Sequence, residues 1–128
     1  MCNNCDYTIH GRHHHFGWDH SIPPAERVTP GSTLEFECLD SGSGHFSPES
    51  TVADIATLDF SKVNPVNGPI YVEGAKPGDA LKVEILSFKP SGFGWTANIP
   101  GFGLLADQFE DPALTLWNYD ATSLEPAA

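Results

Sequence analysis

Basic residues are scarce in this chain. Six Lys/Arg stand against seventeen Asp/Glu in 128 residues, for a formal net charge of −11. Such a surface repels polyanions and favours solubility, so nucleic acid is not expected as a partner. Cysteine is nearly absent too: Cys2, Cys5 and Cys38 make an odd count, which argues against a disulfide framework. No apolar run approaches the ~20 residues of a membrane span, so no membrane is expected. The opening stretch MCNNCDYTIHGRHHH lacks the apolar core of a secretory signal, which favours the cytoplasm. G-x-S-x-G, Walker-type loops and H-E-x-x-H are all missing, and no nucleotide or organic cofactor is expected.

What is present is turns and short apolar runs. Eleven prolines and twelve glycines punctuate a chain that is 40% hydrophobic. That composition fits one globular domain able to bury a core. Residues 1–14 are polar and His-rich, without period, and read as an arm. Residues 15–120 read as a mainly β domain, a twisted mixed sheet or barrel-like fold with one or two short helices. Residues 121–128 read as a tail.

Two segments echo each other at an offset of 47 residues: Pro30-Gly31-Ser32-Thr33-Leu34-Glu35-Phe36 and Pro77-Gly78-Asp79-Ala80-Leu81-Lys82-Val83. In each, Pro presets the first central position of a type II turn and Gly supplies the positive φ of the next, feeding a strand. Thr33 to Asp40 alternates, with Leu34, Phe36 and Cys38 on the inner side. Leu81 to Phe88 alternates with a change of phase near Ile85-Leu86, which signals a bulge or burial on both faces. Ser47 and Pro48 open a predicted helix over Val52, Ile55 and Leu58. Gly92 to Gly103 reads as a Gly/aromatic loop, 104–109 as a helical turn, and Leu114 to Tyr119 as a last strand.

Four constellations can carry chemistry. In His13 to Ser21, imidazoles beside Asp19 suit proton transfer or metal binding, with His15 the first choice; a plain surface histidine cluster is the alternative. Cys2, Cys5, His10 and His15 approach the spacing of a zinc knuckle, against which stands a polar, reducible terminus. Asp40 and Glu73 lie where strands meet turns and can aim carboxylates into a cleft; Asp79, there too, reads as a turn cap. Trp18, Trp95 and Phe102 can wall a small apolar substrate pocket, or pack as ordinary aromatics.

A resemblance rests on particular blocks: His15-Phe16-Gly17-Trp18-Asp19, Val28-Thr29-Pro30-Gly31, Glu37-Cys38-Leu39-Asp40, Leu58 through Val66, Gly68-Pro69-Ile70-Tyr71-Val72-Glu73-Gly74-Ala75, and Ile99-Pro100-Gly101-Phe102-Gly103-Leu104-Leu105. From about His13 to Tyr119 the chain resembles the acetamidase/formamidase family. That resemblance implies a β-rich fold, hydrolysis of short linear amides with release of ammonia, homo-oligomers and a bound divalent metal, Zn²⁺ or Ca²⁺. The residues themselves, rather than the resemblance, offer His15, Asp40 and Glu73 for catalysis, with His15 and Asp40 also offered to the metal. Family members are longer, and their Gly-Gly-Asn-x-Asp and Gly-Asp-x-His segments do not occur here. Where many relatives carry Gly-Gly-Gln, this chain has Ser43-Gly44-His45. The expectation is therefore an incomplete amide hydrolase that needs a complementary C-terminal chain. The alternative is a non-catalytic β module binding a partner chain.

Overall fold

A computed structural model describes residues 4–123. Among these residues the protein is mainly β, with two short 3-10 helices. The strands pair two by two, in four ladders. Two compact units account for the chain: Met1–Gly44 with Asp59–Val83, and His45–Leu58 with Glu84–Ala128. The span 15–120, read from sequence as one β domain, contributes to both units.

The first unit holds three ladders. β1 (Tyr7–Ile9) runs parallel to β4 (Leu34–Phe36). β2 (His14–His15) runs antiparallel to β5 (Val66–Asn67). β3 (Glu26–Val28) runs parallel to β6 (Ile70–Val72). The stretch expected as an arm therefore contributes a strand. Ile9, only 2% exposed, and Val28 are the buried apolar residues of this unit, and full burial of one such side chain stabilises by ~1.5–3 kcal/mol. β4 ends at Phe36, so Cys38, expected inside, is exposed.

The two Pro-Gly turns form as the echo predicts. Ser32 N–H donates to Thr29 O at 3.2 Å and Asp79 N–H to Lys76 O at 3.0 Å. Gly31 has φ 88° and Gly78 φ 98°, values that a side chain would resist. The Asp79 carboxylate also accepts from Lys76 N–H at 2.8 Å, the capping duty expected of it. Beyond the turns the two segments differ. The first leads into β4, which is paired; the second leads into residues 80–90, which form no strand.

In the second unit β7 (Phe93–Asn98) and β8 (Ala113–Asn118) make an antiparallel hairpin in register Phe93↔Asn118 to Asn98↔Ala113. The segment expected as a Gly/aromatic loop is thus half strand. Phe93, Trp95 and Ala97 alternate with Gly94, Thr96 and Asn98, a period of two that the glycines obscure. Asn98 Nδ2 donates to the carbonyls of Phe109 (3.0 Å) and Asp111 (2.6 Å), which ties down the long connection. Within that connection Phe109 N–H reaches Leu105 O at 3.1 Å, the expected helical turn.

The predicted helix is a 3-10 helix over Val52–Thr57, capped by Thr51 rather than Ser47. Asp54 accepts from Thr51 N–H at 2.7 Å, the return bond of a capping box. Ser47 is engaged in its own turn, where Ser50 N–H donates to its carbonyl at 3.0 Å. Ile55 and Phe46 are the buried apolar residues here.

Candidate active site

His15 sits on β2 opposite Val66, half-buried. Its Nδ1–H donates to Gly17 O at 2.6 Å. A carbonyl only accepts, so Nδ1 carries a proton, and in the neutral ring Nε2 is the nitrogen left to face substrate, water or metal. Trp18 and Asp19 do not set this ring. Trp18 is 93% exposed. The Asp19 carboxylate accepts from Ser21 N–H at 2.8 Å, a contact that holds its pKa below the usual carboxylate range, with help from the Ser21 side chain.

A second imidazole was not singled out as catalytic by the sequence. His10 Nδ1–H donates to Glu37 Oε2 at 3.0 Å, and Gly11 N–H donates to the same oxygen at 3.2 Å. The Gly11 N–H first, and His10 second, hold the Glu37 carboxyl below its ordinary range. Asn67 Nδ2 donates to Glu37 O at 2.9 Å, and His14 Nδ1–H to Gly11 O at 2.7 Å. β1, β2, β4 and β5 thus bring His10, His14, Glu37 and Asn67 together. A carboxylate that orients Nδ1–H leaves Nε2 ready to accept a proton, an arrangement suited to acid–base chemistry. Alternation marks Glu37 only as a polar-side residue; its distance from His10 in sequence hides the pairing.

The two expected catalytic carboxylates carry structural duties. Asp40, exposed, folds its own loop: Oδ1 accepts from Gly42 N–H at 2.6 Å and Gly44 N–H at 3.4 Å. Glu73 follows β6 and accepts from Arg27 Nη1 at 3.1 Å. Arg27 in turn lies 4.1 Å from the centroid of the Tyr71 ring, a cation–π distance.

The expected aromatic walls divide. Trp95 packs on buried Phe46 with centroids 4.5 Å apart, so it serves the core of the second unit. Phe102 stands on the Ile99–Phe102 turn and is 61% exposed. His45 is also structural: its Nε2–H donates to Asp54 O at 2.8 Å, fixing the 3-10 helix.

No metal centre is assembled among the described residues, where no group of three or more His, Cys, Asp or Glu converges. His15 and Asp40 are two ligands at most, short of the four of tetrahedral zinc, so the residues described do not fit a complete site. The zinc knuckle fares no better: Cys5, contrary to the expectation from the odd cysteine count, is disulfide-bonded, His10 is held by Glu37, and Cys2 lies outside the described residues.

A profile of the acetamidase/formamidase family matches residues 4–126. The chain belongs to the acetamidase/formamidase family. It is 33% identical over 120 residues to a formamidase from Methylophilus methylotrophus, covering 89% of this chain and 28% of that protein. It is 33% identical over 118 residues to an acetamidase from Mycolicibacterium smegmatis, covering 82% of this chain and 29% of that one. A crystal structure of an acetamidase from Bacillus halodurans superposes with TM-score 0.79 at 32% identity, covering 87% of this chain and 37% of the other. The chain therefore spans about a third of the length of these acetamidase/formamidase relatives. Among the described residues, no helix is long and apolar enough to cross a membrane.

Proposed function

We propose that this chain is one part of an amide hydrolase that splits short linear amides into carboxylate and ammonia. The family match over residues 4–126 carries the reading. An amide resists water because its nitrogen lone pair is delocalised and the amine leaves poorly. Water must add to the carbonyl carbon, the developing oxyanion needs donors, and the departing nitrogen needs a proton. Of the catalytic residues expected from sequence, His15 is best prepared to move that proton, because Gly17 fixes its tautomer and leaves Nε2 open. Glu73, and the oxygen of Asp40 not engaged with Gly42, are further candidates for acid–base work. Exposed Trp18 is a candidate to wall the acyl group; exposed Phe102, and Trp95 in its own core, belong to the second unit and are candidates for substrate contact there.

The oxyanion donors have no evident source among the described residues, and losing one such donor costs about 2.7–4 kcal/mol of barrier. The remaining two thirds of the family polypeptide, as a complementary chain or segment, is the natural supplier. Any Zn²⁺ or Ca²⁺ would need most of its ligands from there as well, and no step is assigned to a metal. Homo-oligomers belong to the same reading. A second reading, a non-catalytic β module, draws on the seventeen large apolar residues left exposed among the described residues, against four buried.

The test joins the full chain to the part of the Bacillus halodurans acetamidase that it does not cover. Ammonia release from formamide and acetamide is then followed, with and without added Zn²⁺. Turnover is expected, and His15→Gln is expected to lower it by about 10²–10⁴-fold with the circular dichroism spectrum unchanged. Full activity in that variant removes His15 from the mechanism; no turnover in the joined protein favours the β module.

A further inference from the structure

Residues 80–90 carry strand chemistry without a strand partner. Their sequence, ALKVEILSFKP, alternates Leu81, Val83 and Ile85 with Lys82 and Glu84, then sets Leu86 and Phe88 on the other phase. Yet none of their backbone or side-chain polar groups forms a hydrogen bond within the described protein. Val83 is 75% and Phe88 82% exposed, and Leu81, Ile85 and Leu86 are exposed with them. A flexible linker would be built from Gly, Ser or Pro rather than from this run. An unpaired apolar edge is also a liability that folded proteins cover.

The first Pro-Gly turn shows what such a segment does when a partner is present. There, Leu34-Glu35-Phe36 pairs with Tyr7–Ile9. The equivalent Leu81-Lys82-Val83 has the same turn before it and no strand beside it among the described residues. The phase change after Ile85 puts apolar side chains on both faces, as in a strand set inside a larger structure rather than on its rim. The relatives supply the length: this chain covers 28% of the formamidase and 37% of the Bacillus halodurans acetamidase.

We infer that Leu81–Phe88 is a strand that pairs with an extended segment from the part of the family polypeptide this chain does not span. The incoming strand presents apolar residues beside Leu81, Val83 and Ile85, and polar ones beside Lys82 and Glu84. The inference rests on reading the chain as part of a larger amide hydrolase, but its readout is backbone protection, not turnover.

Hydrogen exchange with mass spectrometry tests it. In the chain alone, amides 81–88 exchange freely while Phe93–Asn98 and Ala113–Asn118 stay protected. In the full chain joined to the uncovered part of the Bacillus halodurans acetamidase, exchange at 81–88 slows by ~100-fold or more. Val83→Pro and Glu84→Pro remove N–H groups on opposite edges. Neither disturbs the isolated chain, because neither N–H is bonded there, and at least one abolishes the slowing in the joined protein. Free exchange at 81–88 in the joined protein overturns the inference. So does concentration-dependent protection in the chain alone, with a dimer by sedimentation, since a second copy then fills the place. Protection without ammonia release leaves the pairing standing and removes the enzymatic reading; ammonia release with free exchange does the reverse.

Discussion

Arg27 Nη1 and Glu73 Oε1 lie 3.1 Å apart, joining β3 to the residue that follows β6. Both side chains are about half exposed, so the pair contributes no more than ~1 kcal/mol. Glu73→Gln is expected to lower the urea-unfolding free energy of the isolated chain by less than that. In the protein joined to the uncovered part of the Bacillus halodurans acetamidase, the proposed acid–base role of Glu73 predicts that the same change lowers turnover by about 10²–10⁴-fold. A stability change with unaltered turnover assigns Glu73 to the ladder alone.

Glu37 makes stability depend on pH in a predictable direction. Its folded pKa is depressed, by the Gly11 N–H first and by His10 second. A depressed carboxyl stabilises the fold above its unfolded value, ~4.3, and that contribution disappears as pH falls through the folded value. The difference in urea midpoint between wild type and Glu37→Gln is therefore expected to be full near neutrality and to shrink on acidification below about pH 4.3. A difference that grows as pH falls below about 4.3 contradicts the assignment.

Gly11 and Gly17 offer a matched pair. A Cβ on Gly11 would meet Glu37 O at 3.1 Å, while one on Gly17 would meet nothing within 4 Å. The Glu37 carbonyl is backbone and also accepts from Asn67, so it yields poorly. Gly11→Ala is expected to destabilise by about 1–3 kcal/mol, as overpacking does. Gly17→Ala is expected to have little effect. Equal urea midpoints for the two variants would show that Glu37 moves freely.

Much of the local structure was legible in the chain. Pro30-Gly31 and Pro77-Gly78 announce their turns because φ at proline and at a left-handed glycine is set locally. Alternation over Thr33–Asp40 announces a strand, of which Leu34–Phe36 forms, and the last strand read at Leu114–Tyr119 forms as Ala113–Asn118. Burial was less legible, because it depends on what comes to cover a strand: Cys38 has the pattern of an inner residue and lies exposed beyond the end of β4. Ser47 reads as a helix cap, yet its own turn with Ser50 competes and Thr51-Asp54 takes the role. The His10–Glu37 pair was the least legible part of the candidate site. It spans 27 residues and depends on the parallel register of β1 with β4, which no local pattern specifies.

In the reading proposed here, these turns and ladders are a scaffold, and the groups which break the C–N bond are not all present in it. Ammonia release from formamide and acetamide by the purified 128-residue chain alone tests this most directly. The predicted result is no release above the buffer control, with or without added Zn²⁺. Sustained, enzyme-dependent turnover by the isolated chain would contradict it.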